Sequence, residues 1–263
     1  MPPAQRKPRP RSYDPAKVRA AVTAQLAHVR EAAAGLDEAQ LALPTRLGEC
    51  TVRELIAHIA LGVGLVARLI EEPGPPAREI TAVEWVITTA GAGVGAEAAA
   101  GDADTALIPL LDGVADRFAA LAAATPPDRL LAAPSGAIRL DDFLVTRCVE
   151  LAVHTDDLAA ALGTEIRYDR QALANATRLL ADALAAKAPG GSVEVRIPPF
   201  AVVQCVAGPR HTRGTPPNVV ETDPLTWLRL ATGRTDWATA LDAAAISASG
   251  ERADISAQLP LVE

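Results

Sequence analysis

The sequence predicts an α+β protein: a helical bundle followed by a small mixed domain. Three observations carry this. Aromatic residues are only 3% of the chain while alanine runs such as Ala96-Glu97-Ala98-Ala99-Ala100 recur; alanine is the best helix former, whereas strands favour aromatic and β-branched side chains. Apolar residues keep a three-and-four spacing through most of the first half. Period-two alternation begins only at Val193-Glu194-Val195-Arg196-Ile197.

The elements follow in order. Asp14-Pro15 opens a first helix, with a carboxylate cap and proline in the first turn, and Val18, Val22, Leu26 and Val29 form its apolar stripe down to Gly35. Thr51 followed by Glu54 is a capping box for a second helix that runs to about Glu71, and Pro73-Gly74-Pro75-Pro76 ends it. A third helical region is expected from Ile80 to about Ala100, weakened in its second half by Gly91, Gly93, Gly95 and Gly101. A fourth covers Ala106 to Ala123, before Pro126-Pro127. Asp141 or Asp142 opens a fifth, ending at Gly163, and a further helix spans about Arg170 to Lys187. Strands are expected at Val193–Ile197, Phe200–Val206, Val219–Thr222 and Ile246–Gly250, with a short helix capped by Asp223-Pro224. The expected organisation is a tail over 1–13, a bundle over 14–165 and an α+β domain over 166–263.

Composition narrows the function classes. With 49% apolar and 22% charged residues in 263, the chain has material for a core and is not disordered. A net charge of −7 and a pI near 5.2 argue against nucleic-acid binding, which needs a clustered basic surface. Cys50, Cys148 and Cys205 lie far apart, so reduced thiols and a cytoplasmic setting are expected. The basic, proline-rich start has no apolar segment behind it, unlike a secretory signal. The longest apolar run, Leu55–Ala67, is interrupted by His58 and falls short of the roughly 20 residues a membrane span needs.

Three residues suggest a metal site. Glu150 and His154 are one helical turn apart and share a face. His58 stands in the apolar stretch of the second helix, flanked on its face by Leu55, Gly62 and Leu65, and so is aimed into the bundle. Two histidines and a carboxylate from facing helices suit zinc or another divalent ion with one position open. The plainer reading is a hydrogen-bonded core histidine and a stripe, Arg147-Glu150-His154-Asp157, that is the wet face of a helix. Periodicity alone does not show that the two helices face each other.

The segment Cys50-Thr51-Val52-Arg53-Glu54-Leu55-Ile56-Ala57-His58 resembles one signature of the mycothiol-dependent maleylpyruvate isomerase superfamily. Arg147-Cys148-Val149-Glu150-Leu151-Ala152-Val153-His154-Thr155-Asp156-Asp157-Leu158 resembles its second. The resemblance implies a DinB-like metal-binding bundle, with His58, Glu150 and His154 holding a divalent metal, usually zinc. It implies that Asp157 takes part in binding the cosubstrate thiol, mycothiol. Further on, Asp223-Pro224-Leu225-Thr226-Trp227-Leu228-Arg229-Leu230-Ala231-Thr232-Gly233, Asp236-Trp237 and Ile246-Ser247-Ala248-Ser249-Gly250-Glu251 are similar to the closing half of a sterol-carrier-like domain.

What the resemblance implies is a mycothiol-dependent metalloenzyme, isomerase or S-transferase, acting on a small organic substrate. In the isomerase a thiolate adds to an activated double bond, rotation follows and the thiol leaves. The developing enolate needs a cation, and Arg213 is the catalytic candidate, with Arg210 in the same loop, Gly208-Pro209-Arg210-His211-Thr212-Arg213-Gly214. The C-terminal domain is expected to close one side of the metal cleft. The alternative is a binding protein holding an apolar ligand in its sterol-carrier-like half, with a non-catalytic bundle.

Overall fold

A computed structural model describes residues 11–89, 106–208 and 217–262. Helix α1 (Pro15–Ala33) starts at Asp14, whose carboxylate accepts from the N–H groups of Ala16 and Lys17, and it buries Val18, Val22, Leu26 and Val29. A one-turn helix α2 (Glu38–Leu41) follows. The reciprocal capping box of Thr51 and Glu54 then launches α3 (Val52–Glu71), which buries Leu55, Ile59, Val63 and Val66. Helix α4 (Ala82–Thr88) realises the first part of the third helical region; residues 90–105, where that expectation continued, lie outside the described residues. Helix α5 (Leu107–Ala124) completes the approach to Pro126.

The structure then departs from the sequence expectation. A small antiparallel hairpin, β1 (Leu130–Ala133) with β2 (Gly136–Arg139), occupies a stretch that periodicity left unassigned, because four-residue strands are too short for alternation to register. Helix α6 (Leu140–Leu162) begins at Leu140, and neither Asp141 nor Asp142 caps it. Backbone groups do so instead: Leu140 N–H donates to the Arg129 carbonyl and Asp141 N–H to that of Pro127. The two carboxylates sit in the first turn, where the helix dipole favours negative charge.

Helix α7 (Arg170–Lys187), capped by Asp169, follows a short connection. Strands β3 (Val193–Ile197) and β4 (Ala201–Cys205) form an antiparallel pair. Strand β5 (Val219–Thr222) runs parallel to β3 on its other side, and β6 (Ile246–Ser249) closes the order β4-β3-β5-β6. Between β5 and β6 lie α8 (Pro224–Ala231) and α9 (Trp237–Asp242), each opened by an aspartate cap, Asp223 and Asp236. The predicted strands match to within a residue or two.

Helices α1, α3, α5 and α6 pack on one another as the bundle. Helix α7 lies against α6, α1 and α4 on one side and against β4 and α8 on the other, so one apolar core runs through both halves. On β3 the inward residues Val193, Val195 and Ile197 are buried while Glu194 and Arg196 face outward. Helix α6 is the central element. From Leu140 to Leu158 only Asp141, Asp142 and Glu150 escape full burial, and the buried set includes Arg147, His154, Asp156 and Asp157. A helix that buries four ionisable side chains must supply each with a partner.

Candidate functional site

Those partners define the site. Helices α3 and α6 pack face to face and bring His58 and His154 together, with ring centroids 4.9 Å apart and planes at 89°. His154 is 1% exposed. Its Nδ1 lies 3.2 Å from Asp157 Oδ2, one turn further along α6, while its Nε2 is buried with no partner. His58 Nδ1 is likewise buried and unpartnered. A buried polar atom left without a hydrogen bond costs about 1–3 kcal/mol. Here two such atoms lie on neighbouring imidazoles.

Glu150 stands one turn before His154, and its carboxylate accepts from Arg147. Arg147 is 5% exposed, and its guanidinium lies 4.4 Å from the centre of the Phe143 ring. His58, Gly62, Arg147, Glu150 and His154 line one pocket on the α3–α6 seam. Counting only where the centre of a water fits, its volume is about 10 Å³, room for one water or ion. Gly62, one turn from His58, keeps it open: a Cβ there would lie 3.4 Å from Glu150 Oε2. Among the described residues, no three His, Cys, Asp or Glu side chains converge as they stand on a common point for an ion. Glu150 is turned to Arg147.

Electrostatics favour the uncharged form of His58. Burial, and then the neighbouring His154, push the His58 pKa below its ordinary value. For Asp157 burial acts upward, but the hydrogen bonds from His154 and Arg234 outweigh it and hold the carboxyl below its usual range.

Behind His154 the C-terminal domain makes contact. Arg229 of α8 grips Asp156 through Nη2 at 2.6 Å and Nε at 3.0 Å, and Arg46, from the loop before α3, adds a contact at 3.2 Å. Arg234, just past α8, clasps Asp157 through Nη2 at 3.0 Å and Nε at 3.2 Å. Arg46 Nε stands 3.6 Å from the same carboxylate. Sequence reasoning had assigned no role to Arg46, Arg229 or Arg234. The signal was the doublet Asp156-Asp157 on an otherwise apolar helix, since two adjacent buried carboxylates require cations from elsewhere.

His58, Glu150 and His154 line one pocket, and Asp157 lies beneath His154 with both oxygens already accepting hydrogen bonds. The stripe Arg147-Glu150-His154-Asp157 is not a wet face: its members are buried or, for Glu150, nearly so. The pocket lining comes from α3 and α6, so among the described residues the C-terminal domain braces the site from behind rather than walling its cleft. Arg210, His211 and Arg213 lie outside the described residues.

Fold and site together define a helical bundle with a paired-histidine pocket, backed by a small α+β domain. Residues 22–159, just over half of the chain, match the family described as Mycothiol maleylpyruvate isomerase N-terminal domain, and the chain belongs to that family. Residues 169–261 match the family described as Bacterial SCP ortholog. The crystal structure of the mycothiol-dependent maleylpyruvate isomerase is similar at a TM-score of 0.59 and 15% identity, over 90% of this chain and 93% of that one. A histidine-to-alanine mutant of that enzyme gives 0.58 at the same identity and coverage. No curated protein matches the chain.

Proposed function

We propose that this chain is a mycothiol-dependent metalloenzyme of the isomerase or S-transferase type, with His58, Glu150 and His154 holding one divalent ion, zinc because a two-imidazole, one-carboxylate set is one it commonly takes. The observation that carries the reading is a buried, unpartnered nitrogen on each of two neighbouring imidazoles that line one pocket with the Glu150 carboxylate. A divalent ion among two neutral imidazoles and one carboxylate would keep a net charge near +1 and favour thiolate over thiol, whose free pKa is roughly 8.5.

The chain's own residues supply the rest. Arg147 places a buried guanidinium at the pocket wall, where it holds Glu150 now and offers positive charge to an anionic substrate group. Arg213 is proposed as the second cation for a developing enolate. Gly62 leaves room for approach. The free thiols of Cys50, Cys148 and Cys205 support a cytoplasmic setting, and no described helix is long and apolar enough to cross a membrane. The likeness of 169–261 to a bacterial SCP ortholog favours a second reading, an apolar ligand carried by the C-terminal domain.

Calorimetric titration of mycothiol into zinc-loaded and chelated protein tests the proposal. Binding to the loaded protein alone is the expected result. Equal binding to metal-free protein, or none to either, would overturn it, and lipid co-purification independent of metal would favour the carrier reading.

A further inference from the structure

We propose that Asp157, clasped by Arg234 of the C-terminal domain, is a positioning residue that fixes His154 in the Nδ1–H tautomer and so turns the bare Nε2 lone pair into the pocket. A carboxylate between two arginines is ionised and can only accept. The atom facing it across 3.2 Å, His154 Nδ1, must therefore be the donor. A neutral imidazole carries one N–H, so the proton on Nδ1 leaves Nε2 as an acceptor. That atom is the buried one with no partner. A free imidazole in water favours the opposite tautomer, so the surroundings set this one.

The chain builds the clasp locally. Helix α8 ends at Thr232, and Gly233, at φ +70°, takes the left-handed conformation that lets the backbone double back. The N–H of Arg234 then donates to the Arg229 carbonyl at 2.8 Å, the long bond of a Schellman turn. Arg234 Nη1 donates to the Thr232 carbonyl at 2.7 Å, fixing the guanidinium so that Nε and Nη2 meet the two oxygens of Asp157. Arg234 is 7% exposed and Asp157 fully buried, so water does not compete for this carboxylate. The C-terminal domain thereby reaches the pocket through one buried chain, Arg234 to Asp157 to His154. The inference rests on the proposed metal reading only for what the lone pair is for; the tautomer is a property of the metal-free chain.

The test is nitrogen-15 NMR of histidine-labelled, metal-free protein at pH 8, with His154 assigned by the His154→Gln variant. Wild type is expected to show His154 wholly as Nδ1–H. In Asp157→Ala no acceptor faces Nδ1, so the proton should move to Nε2, the tautomer a free imidazole favours. Zinc affinity of that variant should fall about 10–100-fold, the usual effect of losing such a partner. Arg234→Gln leaves the Asp157 carboxylate in place beside Arg46 and should keep the Nδ1–H signal. A wild-type His154 protonated on Nε2, or a pure Nδ1–H signal that survives in Asp157→Ala, would overturn the proposal. If the tautomers behave as stated while wild type takes up no zinc, the positioning stands and the metal reading falls.

Discussion

Arg229 and Asp156 form the tightest link between the two halves of the chain. The guanidinium of α8 closes on the carboxylate of α6 at 2.6 Å, joining residues 73 positions apart. Asp156 is 3% exposed by side chain and Arg229 41%, so the acid carries most of the desolvation. Removing one partner of a fully buried pair costs about 3–5 kcal/mol. Here solvent screening of Arg229 and the remaining contacts from Arg46 and Tyr168 reduce that. Arg229→Ala is expected to lose about 2 kcal/mol in urea unfolding, and a double-mutant cycle with Asp156→Ala should show favourable coupling. Additive effects would mean that the link contributes nothing.

Gly62 separates space from stability. Its Cβ position meets Glu150 Oε2 at 3.4 Å and Arg147 Nη1 at 3.9 Å, ordinary contact distances. Gly62→Ala within α3 should therefore gain up to about 1 kcal/mol from helix propensity. Gly62→Leu should fill the pocket, abolishing zinc uptake while the protein remains folded by circular dichroism. Uptake equal to wild type would place the ion elsewhere.

Acid should loosen α8 at its cap. Asp223 accepts from the N–H groups of Leu225 and Thr226 at 2.8 and 3.0 Å and from the Thr226 hydroxyl. Burial acts upward on its carboxyl, but these hydrogen bonds outweigh it and hold the folded value below the unfolded one. Between the two values the unfolded chain binds more protons, so stability rises with pH there. The cap's contribution is thus complete above the unfolded value of about 3.9 and lost as pH falls through the folded value. Asp223→Ala should cost about 1 kcal/mol near neutrality. That deficit should shrink below about pH 4 in chemical unfolding curves.

Much of the fold was legible because caps and periodicity are local. Asp14-Pro15, Thr51 with Glu54, Asp169 and Asp223-Pro224 all cap as their types suggest. The start of α6 was misread because its cap is tertiary, provided by the carbonyls of Pro127 and Arg129. For the site, spacing could relate Glu150 to His154, and the family motifs singled out His58. No one-dimensional pattern showed that α3 turns His58 edge-on to His154, or that Arg46, Arg229 and Arg234 converge on Asp156 and Asp157. Their partners lie about 70–110 residues away in sequence.

On the proposed reading, His58, Glu150 and His154 together hold one divalent ion. The most direct measurement is metal content after loading with zinc and gel filtration, in wild type, His58→Ala, Glu150→Ala, His154→Ala and, as a control outside the pocket, His28→Ala. One zinc per chain is expected in wild type and His28→Ala, and little in the other three. Zinc retained by His58→Ala and His154→Ala as by wild type, or absent from wild type, would contradict it.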